Sequence, residues 1–209
     1  MKHSFSTSNF YLKENPEKML LWAGEHNFDG MEIWADVPHF YVDNVDKKLL
    51  EKYRSQGSQL IYSVHTPIYG TSIGAVNPGI LRESLRQMEK IIEWAKIMPY
   101  SALVLHAGTT PASAAEVKEI VREILYRSME RLKEKALQRG VELVIENIGI
   151  SQRDWDREVK NLTALMDNFD IGLCLDIGHL NLSSEPEAKF RALRKYVKHI
   201  HISDNNGKD

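Results

Sequence analysis

Short runs of β-branched and apolar residues alternate with longer segments of helical periodicity, and this alternation limits the possible folds more than any other feature. Strands are predicted near residues 2–6, 30–34, 59–65, 101–106, 141–146, 171–176 and 198–203. Helices are predicted between them, near residues 16–27, 46–56, 78–98, 114–139, 155–168 and 186–196. Repeated strand–helix units build a parallel sheet with helices packed against it. The sequence therefore predicts an α/β fold.

The regular spacing of the strands, with no linker or low-complexity segment between them, predicts one domain over residues 1–209. A parallel sheet of this many units forms either an open doubly wound sheet or a closed (β/α)₈ barrel. Neither the G-x-G-x-x-G nor the G-x-x-x-x-G-K-[ST] pattern of nucleotide-binding open sheets occurs, which favours a TIM (β/α)₈-type barrel. Only seven strands can be counted. The barrel is therefore expected to lack its eighth strand within this chain and to be incomplete at its C-terminus.

The charge and the apolar segments exclude some classes of protein. The chain has 27 Lys and Arg against 29 Asp and Glu, a net charge of −2, which argues against a surface for non-specific nucleic-acid binding. No apolar segment approaches the roughly 20 residues of a membrane-spanning helix, and the first residues lack the pattern of a secretory signal. We therefore expect a cytoplasmic protein with no membrane partner, and a homo-oligomer stays open. The single cysteine, Cys174, lies in an apolar run and is expected to be buried rather than reactive.

Polar side chains recur at the carboxyl ends of five consecutive predicted strands, where α/β barrels carry their active sites. Imidazole and carboxylate groups are ligands of divalent metal ions, and converging carboxylates repel one another unless a cation lies between them. The pattern therefore predicts a metal centre for Mn²⁺, Mg²⁺, Co²⁺ or Zn²⁺. The candidate ligands are His65, His106, Glu146, Asp176, His179 and His201.

The last predicted strand has two different faces. Alternation places His199 and His201 on one side and Ile200 and Ile202 on the other, where the isoleucines are expected to face the helices. His201 is nearer to the strand end and is the better candidate ligand. His199 is expected to lie one layer deeper in the barrel.

Each candidate also has a purely structural interpretation. His65 or His106 taken alone could bond to the backbone at its strand end, and His179 could cap the turn that follows its strand. Glu146 and Asp176 each follow a hydrophobic strand, where a buried carboxylate without a cation is costly. The two carboxylates therefore favour a functional role.

Two further residues near the second predicted strand have alternatives of the same kind. Glu32 is either an acid of the pocket or the partner of a core histidine. Trp34 either lines a substrate pocket or packs in the core as an aromatic side chain.

Seven short motifs together resemble the xylose-isomerase-like TIM-barrel superfamily, which contains sugar isomerases and epimerases and the type-two apurinic-site endonucleases. The resemblance covers nearly the whole chain, and the order and strand-end spacing of the motifs are specific to the superfamily. The motifs are Gly30-Met31-Glu32-Ile33, His65-Thr66-Pro67, Asn77-Pro78-Gly79, His106-Ala107-Gly108, Glu146-Asn147, Asp176-Ile177-Gly178-His179 and His201-Ile202-Ser203-Asp204.

For the sugar isomerases and epimerases, the resemblance implies a divalent metal held by Glu146, Asp176 and His201, with a further Glu from the last strand. The metal would polarise a carbonyl and its neighbouring hydroxyl, while Glu146 and that further Glu exchange protons with carbon through an enediolate. The function implied is that of a metal-dependent isomerase or epimerase of a small sugar or sugar phosphate. The predicted catalytic residues are Glu146 and His179, and the predicted substrate-binding residues are Glu32, Trp34 and Asn147.

The alternative that the resemblance implies is a type-two apurinic-site endonuclease, with nucleic acid as its partner. In those enzymes the positions of His65 and His106 join the other four candidates in a multi-zinc centre that hydrolyses phosphodiesters, and all six positions are present here. The rim loops at residues 68–73 and 108–111 contain no Arg or Lys to hold a DNA backbone. Their composition favours the isomerase.

The C-terminal sequence departs from both patterns of the superfamily. The superfamily usually continues into an Asp-x-His element and an eighth strand that carries a Glu, and neither is present. The chain is therefore expected to be a fragment of a longer protein. If it is complete, a third interpretation applies, that of a metal-binding or regulatory barrel without its catalytic acid.

Overall fold

The structure is a computed structural model that describes residues 2–9, 13–56, 60–108, 115–148, 158–203 and 205. Seven strands follow one another in the sheet in chain order, and the described pairs of neighbours are parallel. The predicted α/β fold and its seven strands are confirmed. The strands are β1 (Ser4–Ser6), β2 (Gly30–Trp34), β3 (Ile61–His65), β4 (Ala102–Leu105), β5 (Glu142–Glu146), β6 (Gly172–Asp176) and β7 (Val197–His201).

Seven α-helices lie among the described residues. They agree with the predicted helices except for a five-residue helix after β6, which the sequence analysis did not predict. The first residues of the helix predicted from 155 lie outside the described residues. The helices are α1 (Pro16–Glu25), α2 (Lys47–Gln56), α3 (Pro78–Trp94), α4 (Ala115–Leu137), α5 (Val159–Phe169), α6 (Ile177–Asn181) and α7 (Pro186–Leu193), with 3₁₀ turns at Thr7–Asn9 and Arg194–Tyr196. None of the described helices is long and apolar enough to cross a membrane.

The chain forms two compact units. The first contains residues 1–69, 86–103 and 135–142, and the second contains residues 70–85, 104–134 and 143–209. Strands β1, β2 and β3 belong to the first unit, and β6, β7 and most of β5 belong to the second. The single domain over residues 1–209 stays a prediction.

In the first unit, β2 lies between β1 and β3 and is buried along its whole length. Gly30 pairs with Ser4 on one side and with Ile61 on the other. A Cβ atom on Gly30 would collide with the carbonyl oxygen of Ile61, so only glycine lets the strands approach this closely. A strand buried on both faces is typical of a parallel sheet covered by helices.

Helix α1 shows how the sequence sets the elements of the first unit. Asn15 caps the helix by accepting a hydrogen bond from the Lys18 N–H at 2.9 Å, and Pro16 occupies the first helical position, where no N–H is needed. The buried face of the helix consists of Met19, Leu20 and Ala23, at the spacing of three to four residues that an amphipathic helix requires.

In the second unit, β6 lies between β5 and β7 and is also buried throughout. Helix α4 contributes a buried stripe to this unit, made of Val121, Leu125, Met129 and Leu132. The pairing of β6 with β7 is irregular, because Leu173 pairs with Val197 whereas the next residue, Cys174, pairs with His199. The last residues of β5, β6 and β7 are Glu146, Asp176 and His201.

Candidate metal centre

A buried carboxylate at the end of β5 faces three imidazole rings within the second unit. Glu146 is 2% exposed, and its Oε2 atom lies 3.1 Å from Nε2 of His106. Its Oε1 atom lies 3.3 Å from Nδ1 of His179 and 3.5 Å from Nδ1 of His201. A carboxylate this deeply buried needs a cation or hydrogen-bond donors close by. The three rings supply donors when protonated, and they can share a cation with the carboxylate when neutral.

A second buried carboxylate, at the end of β6, faces two of the same rings. Asp176 is 7% exposed, and its Oδ2 atom lies 3.8 Å from Nδ1 of His179 and 3.8 Å from Nδ1 of His201. Its other oxygen, Oδ1, accepts a hydrogen bond from the His179 N–H at 2.8 Å and caps α6. One oxygen of Asp176 therefore begins the helix, and the other points to the imidazole rings.

The short helix α6 places His179 three residues after Asp176 and next to it in space. A Cβ atom at Gly178 would collide with the Ser203 hydroxyl, so the absence of a side chain lets the segment after β7 pack closely on the helix. Asn205 donates from its Nδ2 atom to the Gly178 carbonyl at 3.1 Å and joins the segment after β7 to the helix. In the motif Asp176-Ile177-Gly178-His179, the aspartate caps the helix, the glycine allows close packing, and the histidine faces the aspartate.

Asn147, the residue after β5, fixes the end of β6. Its Oδ1 atom accepts the Asp176 N–H at 2.8 Å, and its Nδ2 atom donates to the Asp176 carbonyl at 3.1 Å. Its own carbonyl oxygen lies 3.1 Å from Nδ1 of His179. Asn147 is 7% exposed and orients both Asp176 and His179. Its role in substrate binding stays a prediction.

The four residues Glu146, Asp176, His179 and His201 have a chemistry that fits a divalent cation. Donor atoms of the first three lie within 4.8 Å of one another. Two ionised carboxylates that share the same two imidazole neighbours would repel each other in so dry a site, and a cation between them removes the repulsion. A mixed set of carboxylate oxygens and imidazole nitrogens suits Zn²⁺, Co²⁺ or Mn²⁺.

The other predicted site residues, His65, Glu32 and Trp34, belong to the first unit. His65 is buried at the end of β3, and its Nδ1 atom lies 2.7 Å from the Thr66 carbonyl oxygen. The Ser63 hydroxyl donates to Oε2 of Glu32 at 3.2 Å. Metal binding by His65 and substrate binding by Glu32 stay predictions.

The third of these, Trp34, packs at the end of β2. It is 6% exposed, its backbone N–H donates to the Thr7 hydroxyl at 2.9 Å, and its ring meets that of Tyr69 edge to face at a centroid distance of 5.5 Å. These contacts agree with the packing role that the sequence analysis left open. Substrate binding by Trp34 stays a prediction.

Asp36 is a buried acid that the sequence analysis missed. Its Oδ1 atom accepts the Val37 N–H at 2.7 Å, and its Oδ2 atom accepts the N–H groups of Ile68 and Tyr69 at 3.1 and 3.3 Å. It therefore holds the loop after β3, including the tyrosine that contacts Trp34. No motif signals such a contact, because Ile68 and Tyr69 are distant in the sequence and donate through their backbone.

The two faces of β7 differ as alternation predicts. The rings of His199 and His201 lie edge to face with their centroids 5.4 Å apart. Ile200 and Ile202 are 41% and 80% exposed, so the prediction that they face helices is wrong.

The chain belongs to the xylose isomerase-like TIM barrel family, whose model matches residues 20–209. Fructoselysine 3-epimerase of Shigella flexneri is 26% identical over 205 residues, which cover 88% of this chain and 70% of that protein. An uncharacterised protein of Methanocaldococcus jannaschii is 24% identical over 213 residues, which cover 97% of this chain and 71% of the relative. The crystal structure of a D-tagatose 3-epimerase-like protein matches with a TM-score of 0.85 and 23% identity over 100% of this chain and 78% of its own. The predicted superfamily and the TIM-type fold are confirmed.

Proposed function

We propose that this chain is a divalent-metal-dependent isomerase or epimerase that acts on a small sugar or sugar phosphate. The observation that carries the proposal is the pair of buried carboxylates, Glu146 and Asp176, which face the shared rings of His179 and His201. The names of the relatives, a fructoselysine 3-epimerase and a D-tagatose 3-epimerase-like protein, support it.

The metal would be held by Glu146, Asp176, His179 and His201. A divalent cation bound there supplies a Lewis acid that polarises the oxygens of the substrate. The residues of the chain keep this group of donors in place, because Asn147 fixes the backbone of Asp176 and Asp176 in turn caps the helix of His179.

Glu146 is the proposed base that removes a proton from the carbon next to the carbonyl. Its two oxygens have different surroundings, since Oε1 faces His179 and His201 whereas Oε2 faces His106. We assign the cation to the side of Oε1 and the proton transfer to Oε2. A proton on Nε2 of His106 would stabilise the charged form of Oε2 and so adjust its affinity for the substrate proton.

The number of proton-transfer groups separates the two activities. An isomerase can move a proton between neighbouring carbons on one face of the sugar with a single base. An epimerase needs a second group that returns the proton on the opposite face. Glu146 therefore serves either activity, and the product identifies which one the chain performs.

The proposal is tested by proton exchange in deuterated water. The full chain is loaded with Mn²⁺ and given D-tagatose, D-fructose and D-psicose, and deuterium at the carbons beside the carbonyl is measured by nuclear magnetic resonance. We expect exchange in the wild type and a loss of about 10²–10⁴-fold in Glu146→Gln, because the amide has the shape of the acid but cannot accept the proton. Glu142→Gln, at the exposed opposite end of β5, is the matched control and should keep the wild-type rate.

The apurinic-site endonuclease is the alternative that the same assay separates. An abasic-site DNA duplex is incubated with the same preparation after loading with Zn²⁺. Cleavage of the duplex without proton exchange in any sugar would overturn the proposed function. Equal exchange in Glu146→Gln and in the wild type would overturn the role of Glu146.

A further inference from the structure

A second group of metal-binding side chains lies next to the carboxylate centre, on strands β6 and β7. It consists of Cys174, His199 and His201, and ligand atoms of all three lie within 4.8 Å of one another. Cys174 pairs with His199 across the two strands, and His201 lies two residues further along on the same face. The apolar run around Cys174 predicts only a small buried side chain at this position.

The irregular pairing of β6 with β7 creates this group. Leu173 pairs with Val197, so a regular register would bring Lys198 opposite Cys174. The register shift places His199 there instead, and Lys198 is exposed. The irregularity thus replaces an ammonium group, which repels cations, with an imidazole, which binds them.

The ligand types differ from those of the carboxylate centre. A thiolate with two imidazoles prefers thiophilic or borderline ions such as Zn²⁺ and Co²⁺, whereas carboxylates accept harder ions such as Mn²⁺ and Mg²⁺. Cys174 is 0% exposed, while the His201 side chain is 20% exposed and His199 is half-buried. The two histidines are thus the solvent-facing members of the group, and the sulfur is its buried member.

We propose that Cys174, His199 and His201 form a second cation site, selective for a thiophilic divalent ion such as Zn²⁺. His201 belongs to both centres, since its Nδ1 atom also lies 3.5 Å from Oε1 of Glu146. On binding, the Cys174 thiol releases its proton to solvent and the sulfur forms a coordinate bond to the ion. When both centres are filled, each ring nitrogen of His201 binds one ion, and the ring N–H proton is also released to solvent. This proposal goes beyond the proposed activity and does not depend on it.

The test uses Co²⁺ as a spectroscopic substitute for Zn²⁺ in the full chain. The protein is first saturated with Mn²⁺ and then titrated with Co²⁺, while the sulfur-to-cobalt charge-transfer absorption is recorded in the near ultraviolet. We expect one thiolate-bound Co²⁺ per chain in the wild type. We expect the band to disappear in Cys174→Ala and in His199→Gln, and both variants to bind Mn²⁺ as the wild type does before cobalt is added.

The second ligand variant and two control variants keep the test decisive. His199→Gln replaces a half-buried ring by another polar side chain. This variant therefore tests the proposed cation site even if Cys174→Ala fails to fold. His26→Gln changes an exposed histidine of the first unit and should leave the band unchanged. Glu146→Gln should also keep the band, because Glu146 is not a ligand of the proposed site.

Several results would overturn the proposal. If the wild type shows no charge-transfer band, the protein has no thiolate site for Co²⁺. If His199→Gln shows the band and binds Co²⁺ with the wild-type affinity, Cys174 binds the ion without the His199 ring. Loss of the band in Glu146→Gln would show a single joint centre instead of two. Sugar exchange by the wild type with no cobalt band would leave the proposed function intact and remove only the second site.

Discussion

Both units of the molecule place buried acids at the ends of parallel strands, but the acids face different groups. In the first unit, the carboxylate of Asp36 accepts three backbone N–H groups, two of which belong to Ile68 and Tyr69. In the second unit, Glu146 and Asp176 face imidazole rings. The exposure of Asp36 and Asp176 is nearly equal, at 5% and 7%.

The difference shows that burial alone does not identify a reactive acid. The hydrogen bonds from backbone N–H groups tie the Asp36 carboxylate to the loop after β3, so Asp36 is a structural residue that orders this loop. Imidazoles change their charge near neutral pH and bind metal ions, so an acid that faces them can take part in proton transfer or coordination.

The largest effect is expected at Asn147. Its side chain bonds to the backbone of Asp176 and so orients this acid of the second unit. Asn147→Ala removes both side-chain hydrogen bonds to the Asp176 backbone and leaves a buried N–H and a buried carbonyl without that partner. We expect the affinity for Mn²⁺ to fall by about 10–100-fold and the free energy of unfolding to fall by about 2 kcal/mol. Calorimetric titration and urea denaturation measure the two quantities. Unchanged Mn²⁺ affinity would show that Asn147 has no orienting role.

An effect on stability alone, with no loss of Mn²⁺ affinity, is expected for Asp36 in the first unit. Asp36→Asn turns one of the two accepting oxygens into an NH₂ group that meets backbone donors, which should lower the free energy of unfolding by about 1–3 kcal/mol. Asp46→Asn is the control, because the Asp46 side chain accepts the exposed N–H of Lys48 through a single oxygen, which an amide oxygen can replace. Urea denaturation of both variants measures the difference. Equal stability of the two variants would contradict the structural role of Asp36.

The smallest effect is expected at Glu93, an acid on the surface of the first unit. Hydrogen bonds from Lys96 and then Arg139 lower the pKa of Glu93 to about 2 from its ordinary value of 4.5. Because the pKa is lower in the folded state, the stabilisation is complete above pH 4.5 and is lost as the pH falls from 4.5 to about 2. Surface ion pairs of this kind contribute about 0.2–1 kcal/mol.

The measurement for Glu93 is the free energy of unfolding of Glu93→Gln and the wild type, at neutral pH and at several values between pH 4.5 and 2. The two proteins should differ at neutral pH and converge as the pH falls. Glu187→Gln, which removes a single exposed pair with Arg191, is the control and should change the stability less. A difference that grows as the pH falls would have the wrong sign and would refute the prediction.

Much of the fold could be predicted from the sequence because each strand is a distinct apolar run between helices. The predicted strand at 141–146 and the observed β5 at Glu142–Glu146 differ by one residue. Helix α6 was missed because five residues are too few to show a helical period, and its formation depends on the cap by Asp176 and on the space at Gly178. Caps and close approaches of this kind depend on residues that lie far apart in the chain.

The convergence of Glu146, Asp176, His179 and His201 could also be predicted, since parallel strands bring their carboxyl ends to one edge of a sheet. The pairing of Cys174 with His199 could not, because it depends on a register shift that leaves no mark in the sequence. Register in a parallel sheet is set by the packing of whole strands and helices. Because the register shifts by one residue, Cys174 pairs with His199 instead of Lys198.

The central claim is that the second unit holds a divalent cation between Glu146 and Asp176, whereas Asp36 of the first unit only holds a loop. Its most direct test is the Mn²⁺ content per chain, by elemental analysis after dialysis, of the wild type, Asp176→Asn and Asp36→Asn. Both substitutions replace one oxygen of a buried strand-end acid by an NH₂ group, and the amide oxygen of the Asp176→Asn variant can still cap α6. We predict one Mn²⁺ per chain in the wild type and in Asp36→Asn, and none in Asp176→Asn. Equal Mn²⁺ content in all three proteins, or none in the wild type, would contradict the claim.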